Sequence, residues 1–354
     1  MKTITAIVFL ITCFITRSNA QSDTALLNVK YVSGETPQDN HLQVGKYMQF
    51  KGLIQGGFLW SDAETIPDAF YLRRIRLDLT GEIFNNFSYR LQMDLVNTFR
   101  ILNAEVEYKI DPLLSLHFGA SKIPYCYDNF YSPYTLPTIS RTLLDENLAA
   151  RSSDFYGNQY GRDLGFWITG NYNHNNNRPL MEYTLGIYNG AGLAVTDNNT
   201  EKDIAATLRI SPVKNLWMSG RYYTGTGETI AYPNVATKRK RYGGDVSFKH
   251  KKYLLEAEYL YGEDSNDSLG LKNRSGWYVT AGYMVIENKL QAVVRLDTFN
   301  DDINLDMDGV KRYVIAGCWF FTKNTRIQLE YDYTHNMEIH QKFNSINIQL
   351  LAGF

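Results

Sequence analysis

The sequence predicts an all-β protein: a transmembrane antiparallel β-barrel of about sixteen strands. Three observations predict it. From Gly45 to Phe354 the apolar side chains recur with period two, the spacing of strands whose two faces differ. The connections between them alternate between short turns and longer polar loops. An export signal precedes them. Composition agrees by exclusion. With 36 basic and 37 acidic residues in 354, the chain has no basic surface for nucleic acid. At 14% aromatic it is not a disordered chain. A mean hydropathy of -0.32, with no long apolar run after the N-terminus, excludes a helical membrane protein.

In chain order, residues 1–20 read as a signal peptide. Lys2 supplies the positive region, Ile4 to Ile15 the apolar stretch, and Ser18-Asn19-Ala20 the small-residue cleavage site. Cleavage after Ala20 leaves Cys126 and Cys318 as the only cysteines, which is no disulfide framework. Residues 21–44 form an N-terminal periplasmic segment, with Leu26 to Tyr31 either a strand or a tail. The barrel follows over 45–354.

The first strand sets Met48, Phe50, Ile54, Phe58 and Trp60 against Gln49, Lys51 and Gln55. The second sets Ile75, Leu77 and Leu79 against Arg74, Arg76 and Asp78. The third opposes Tyr89, Leu91 and Met93 to Arg90, Gln92 and Asp94, and the fourth opposes Leu102, Ala104 and Val106 to Asn103, Glu105 and Glu107. The fifth runs from Leu114 to Phe118 with His117 on its polar face. Eleven more follow, beginning near Leu164, Met181, Ile204, Leu216, Val246, Leu255, Trp277, Leu290, Arg312, Ile327 and Ile346. The segment Arg312 to Phe321 is apolar on both faces, so its phase stays open. Short turns fall at places such as Asn85-Asn86 and Glu287-Asn288. Longer loops fall at Ser61 to Asp68, Lys122 to Tyr160, Gly190 to Glu201, Gly225 to Lys240 and Gly262 to Ser275.

Charge decides which face meets water. Burying Arg74, Arg76, Asp78, Arg90, Asp94, Glu105 and Glu107 in a dry interior would cost more than pairing recovers. A barrel in lipid turns its apolar face to the hydrocarbon and its polar face to a wet lumen. The chain ends on Phe354, with apolar residues at every second position before it. That pattern is similar to the signal by which barrels are handed to the outer-membrane insertion machinery.

Several stretches, in order, resemble the phosphate-selective porin O and P family. They are FYLRRIRLDLTG (Phe70 to Gly81), FGASKIP (Phe118 to Pro124), GRDLGFWITG (Gly161 to Gly170) and YTLGIYNG (Tyr183 to Gly190). The resemblance implies a homotrimeric barrel with its third long loop, here residues 122–160, folded into the lumen as a constriction. It also places Arg141 and Arg151 where that loop carries arginine. Pore-lining candidates are therefore Arg74, Arg76, Asp78, Arg90, Asp94, Glu105, Glu107, Lys122, Arg141 and Arg151. Because acids stand beside the bases, the family's name does not transfer to the solute.

The leading reading is an outer-membrane channel for passive diffusion of small hydrophilic solutes or ions, anion-preferring where lumen arginine and lysine prevail. Alternatives are a barrel enzyme and a loop-mediated adhesin or structural barrel. An enzyme needs a nucleophile and a base, and of six histidines only His117 falls mid-strand on an inward face, without a nucleophile motif. No cofactor, metal or catalytic residue is predicted. Outer-membrane lipid and lipopolysaccharide are the expected surroundings. Lys238-Arg239-Lys240-Arg241 reads as a basic run at the base of an external loop, either solvated or bound to lipopolysaccharide phosphates. Asp301, Asp302, Asp306 and Asp308 read as a solvated acidic loop rather than a calcium site.

Overall fold

A computed structural model describes residues 29–32, 41–44 and 47–354, apart from 152, 155, 175–177, 194, 198, 306–308 and 323. The predicted signal peptide, and Asp306 and Asp308, lie outside the described residues. Two short strands, β1 (Val29–Val32) and β2 (His41–Val44), pair with each other. Sixteen long strands follow: β3 (Met48–Ser61), β4 (Ala69–Phe84), β5 (Phe87–Asp94), β6 (Arg100–Asp111), β7 (Leu114–Lys122), β8 (Arg162–His174), β9 (Arg178–Tyr188), β10 (Asp203–Ile210), β11 (Leu216–Gly227), β12 (Thr237–His250), β13 (Tyr253–Asn266), β14 (Gly270–Ile286), β15 (Leu290–Asn300), β16 (Val310–Phe320), β17 (Thr325–Asn336) and β18 (Gln341–Gly353). Each pairs antiparallel with the next, and β18 pairs with β3 through Ile348↔Phe58 and its neighbours. The sheet therefore closes and has no free edge among the sixteen, as a wall in hydrocarbon must. The β1–β2 pair is attached to it through Leu42↔Phe50.

The alternation has the predicted sense. Along β17, Ile327, Leu329 and Tyr331 are exposed, whereas Gln328 and Glu330 are buried. Along β13, Leu255 and Tyr259 are exposed, and Glu256 and Glu258 are buried. Exposed apolar side chains thus cover the outside and charged ones are packed inside. The two-faced segment resolves in the same way. On β16 Tyr313, Ile315 and Trp319 point outward, and Val314, Ala316 and Cys318 inward. Among the described residues Cys126 and Cys318 are free and buried. The short turns owe their tightness to asparagine in the left-handed region, with φ of 65° at Asn86, 70° at Asn215 and 56° at Asn288.

Three expectations change. Leu102 was expected outward but is fully buried, because β6 carries a bulge there. Gln92 pairs with Asn103 and Met93 with Ile101, so Leu102 is the extra residue and Ile101 takes the outward place. The stretch Gly262 to Ser275 is not a long loop. β13 and β14 continue through most of it and leave only residues 267–269 as a turn. The loop Gly225 to Lys240 is also shorter: β11 runs to Gly227 and β12 begins at Thr237, so Lys238 to Arg241 lies in the strand at the loop's base, and the pleat sends alternate residues of the run to opposite faces.

The tyrosine pairs mark the height of the apolar band. Tyr253–Tyr283 lies near the short-turn end, with ring centroids 5.4 Å apart, and Tyr242–Tyr261 near the long-loop end, at 5.1 Å. The eight steps of tilted strand from Tyr253 to Tyr261 span about 20 Å of height, close to a barrel's apolar belt. Val279 is midway between them and points outward. Replacing it, Val279→Arg, is expected to destabilise the folded barrel in bilayers by about 2–4 kcal/mol, measured by denaturant unfolding. The same change at the exposed loop residue Asp62 should cost far less.

Candidate permeation pathway

Between β7 and β8 the chain leaves the wall for nearly forty residues. Cys126 turns it, with φ of 63°, and two short helices follow, α1 (Tyr127–Phe130) and α2 (Leu143–Leu148). The Thr142 side chain caps α2 by accepting the Asp145 N–H at 3.3 Å. The base of the segment is closed by the Asn129 amide, which donates to the carbonyls of Ile123 (3.1 Å) and Gly161 (2.9 Å).

Its core is ionic. Asp145 accepts from Arg141 at 2.7 Å and pairs with Arg151 at 2.8 Å. Burial alone would raise this carboxyl, but Arg151 and Arg141 outweigh it and hold it below the usual carboxylate range. Arg141 and Arg151, expected to face the pore, are thus spent inside the segment, both buried.

The segment is bonded to inward side chains of distant strands. Glu330 of β17 accepts the N–H of Ile139 at 2.6 Å and of Ser140 at 2.8 Å. Glu258 of β13 accepts the Tyr127 N–H at 2.8 Å, and Glu256 accepts the Tyr127 hydroxyl at 2.8 Å. Arginines bind its carbonyls: Arg295 that of Ser140 at 3.0 Å, Arg326 that of Leu136 at 3.0 Å, and Arg73 that of Ile139 at 2.6 Å. Carboxylates thus take loop N–H groups and guanidiniums take loop C=O groups, each a charge-assisted bond. An apolar cluster including Ile123, Leu144, Leu148, Tyr223, Leu260 and Tyr278 packs beneath.

Most of these contacts reach β13–β17, and open space remains along β3–β9. A cavity of about 290 Å³ lies there, lined by Lys51, Arg76, Asp78, Arg90, Lys122 and Arg162 on the wall and by Ser132, Pro133 and Tyr134 of the segment. Toward the short-turn end it meets a second cavity of about 530 Å³, which shares Thr80 and Arg90 with it and adds Glu82, Glu105, Glu107, His117 and Trp167.

Within this space Arg90 holds Asp78 in a bidentate pair (3.0 and 2.7 Å), with Glu105 at 3.8 Å. Arg76 pairs with Asp94 at 2.9 Å, and Arg74 donates to Gln55 at 2.7 Å. Lys122 donates to the Tyr131 carbonyl at 2.7 Å. Ser88 donates to Glu107 at 3.4 Å. His117 stacks on Trp167 at 5.1 Å and shares a 2.9 Å hydrogen bond with Thr169. Among the described residues, no group of three His, Cys, Asp or Glu is placed to hold a metal.

The pore-lining candidates left out Lys51, which the sequence sets on the polar face of the first strand, and also Arg162 and Arg73. Arg162 starts β8 opposite Lys122 and donates to Asn103 at 3.1 Å and Gln92 at 3.2 Å. It precedes Asp163, which is also buried, so alternation at the strand start gave no single phase. Arg73 was hidden by a bulge: Gln55 pairs with Arg74 and Gly56 with Leu72, leaving Arg73 as the extra residue. Glu330→Ala should release the 138–141 stretch, and the amides of Ile139 and Ser140 should exchange hydrogen at least about tenfold faster while the β17 ladder stays protected.

A family model described as phosphate-selective porin O and P matches residues 61–350. The fold is similar to an anion-selective porin from Comamonas acidovorans, with a TM-score of 0.68 and 11% identity over 87% of this chain and 99% of that one. It is also similar to OmpT of Vibrio cholerae, with a TM-score of 0.64 and 10% identity over 92% and 100%. The outer membrane channel DcaP of Acinetobacter baumannii gives a TM-score of 0.57 and 13% identity over 87% and 97%. No curated protein matches the sequence. At such identities the structural likeness speaks for the fold, while the family match spans most of the chain. The chain belongs to the phosphate-selective porin O and P family, outer-membrane porins of Gram-negative bacteria.

Proposed function

We propose that small hydrophilic solutes diffuse passively along the β3–β9 side of the lumen, and that anions are preferred. One observation carries this: the 290 Å³ cavity beside Ser132–Tyr134 has five bases, Lys51, Arg76, Arg90, Lys122 and Arg162, against the single acid Asp78. Fixed positive charge at a narrow point raises the local concentration of anions. The acids Glu82, Glu105 and Glu107 line the wider cavity, where a solute passes at greater range and water screens them. In this reading residues 122–160 fold into the lumen as the constriction. Arg141 and Arg151 hold that geometry, Arg74 stays bonded to Gln55 on the wall, and Arg76, Arg90 and Lys122 meet the solute.

The same reading takes the protein as a homotrimer without catalytic activity, exported by a signal peptide cleaved after Ala20. Residues 21–44 lie on the periplasmic side, and Phe354 addresses the insertion machinery. The His117–Trp167 stack supports a wall role for that histidine.

Bilayer recordings in a salt gradient test the preference. Arg90→Gln with Lys122→Gln removes two bases and releases Asp78 from its partner, so the chloride-to-potassium permeability ratio should fall by about twofold or more. An unchanged reversal potential would take both residues out of the mechanism. Excising residues 132–137 should raise single-channel conductance, and equal conductance would place the constriction elsewhere.

A further inference from the structure

β12 divides the basic run between its faces. Arg239 and Arg241 point inward, buried on Asp203 (2.6 Å) and Asp264 (2.8 Å). Lys238 and Lys240 point outward, exposed and about 7 Å apart along the strand. The permeation pathway uses neither lysine. Both stand on the long-loop side of the Tyr242–Tyr261 pair, at the level of the outer-leaflet headgroups. Below that pair the wall is notched. Gly220 and Gly244 are register partners on the outward face, and open space surrounds the place a Gly220 Cβ would take. Leu208, Met218, Val246, Tyr259 and Trp277 border a groove there of about 610 Å³.

We propose that this face binds one phosphorylated, acylated lipid of the outer leaflet, its phosphate on Lys238 and Lys240 and an acyl chain in the Gly220–Gly244 groove. The two parts fit one amphiphile because they are stacked along the membrane normal in headgroup-then-chain order. Ammonium groups suit phosphate through charge-assisted hydrogen bonds. A notch in a surface facing hydrocarbon gains dispersion contacts only when a chain fills it. Glu263, 3.7 Å from the Lys240 ammonium, opposes the phosphate and limits its affinity.

Native mass spectrometry of the purified protein tests the site, with a bisphosphorylated, acylated glucosamine-disaccharide lipid as the probe and its dephosphorylated form as control. The wild type should retain one phosphorylated lipid per chain and release the control. Lys238→Ser with Lys240→Ser should weaken retention about tenfold. Gly220→Leu, which the open space accommodates, should weaken it by a similar factor, and Glu263→Gln should strengthen it. Conductance should stay unchanged in all three, showing that the barrel is intact. Equal retention by wild type and the double lysine variant overturns the proposal, as does equal retention of the dephosphorylated lipid. Full competition by millimolar inorganic phosphate reduces the lysines to a simple ion site and also overturns it. Loss of the oligomer in Gly220→Leu assigns the groove to a neighbouring copy, with the same consequence.

Discussion

In hydrocarbon no water is present to satisfy a backbone N–H or C=O, so every peptide group of a spanning sheet must bond to the next strand. Closure of β3 on β18 follows from that requirement. So does the division of every strand into an oily face and a wet one. The outer face carries mostly aliphatic and aromatic side chains, because a charge turned to hydrocarbon is costly there. The inner face is free to carry charge because water and counter-charges fill the lumen. The same pleat that sends Leu329 outward sends Glu330 inward, where it meets the backbone of residues 139 and 140.

The inner face does two jobs on two sides of the barrel. Toward β13–β17 its charges are used up: carboxylates and guanidiniums bind the backbone and side chains of the segment between β7 and β8. Such buried pairs add little net stability over an apolar core, but they fix one geometry, because a removed partner leaves an unpaired buried charge. Toward β3–β9 the charges border open space, and bases outnumber acids around the 290 Å³ cavity. An almost neutral chain thus contains a cavity lined mainly by bases. Composition could not reveal it, since it arises from where the pairs close rather than from how many charges there are.

The fold was legible because period two is a local property: each of the fifteen alternating segments became a strand, as did the two-faced Arg312 to Phe321. What was lost was lost to bulges and strand length. A bulge shifts the phase by one residue, which turned Leu102 inward and added Arg73 to the inner face. Strands that continue past the membrane look like loops, because their outward positions become polar. That is why residues up to Lys240 read as part of a loop. Among the expected pore residues, Arg76, Asp78, Arg90 and Lys122 do line one cavity. Arg141 and Arg151 do not, because Asp145 stands between them and only the folded segment shows it. Arg162 needed the register with Lys122 to be seen.

Neighbouring residues of one strand meet different solvents, and spin labels at Leu77 and Arg76 in lipid vesicles measure the difference. A label at position 77 should collide with oxygen dissolved in the hydrocarbon and be shielded from a water-soluble quencher, while a label at position 76 should show the reverse. Equal access of the water-soluble quencher to both positions would contradict this.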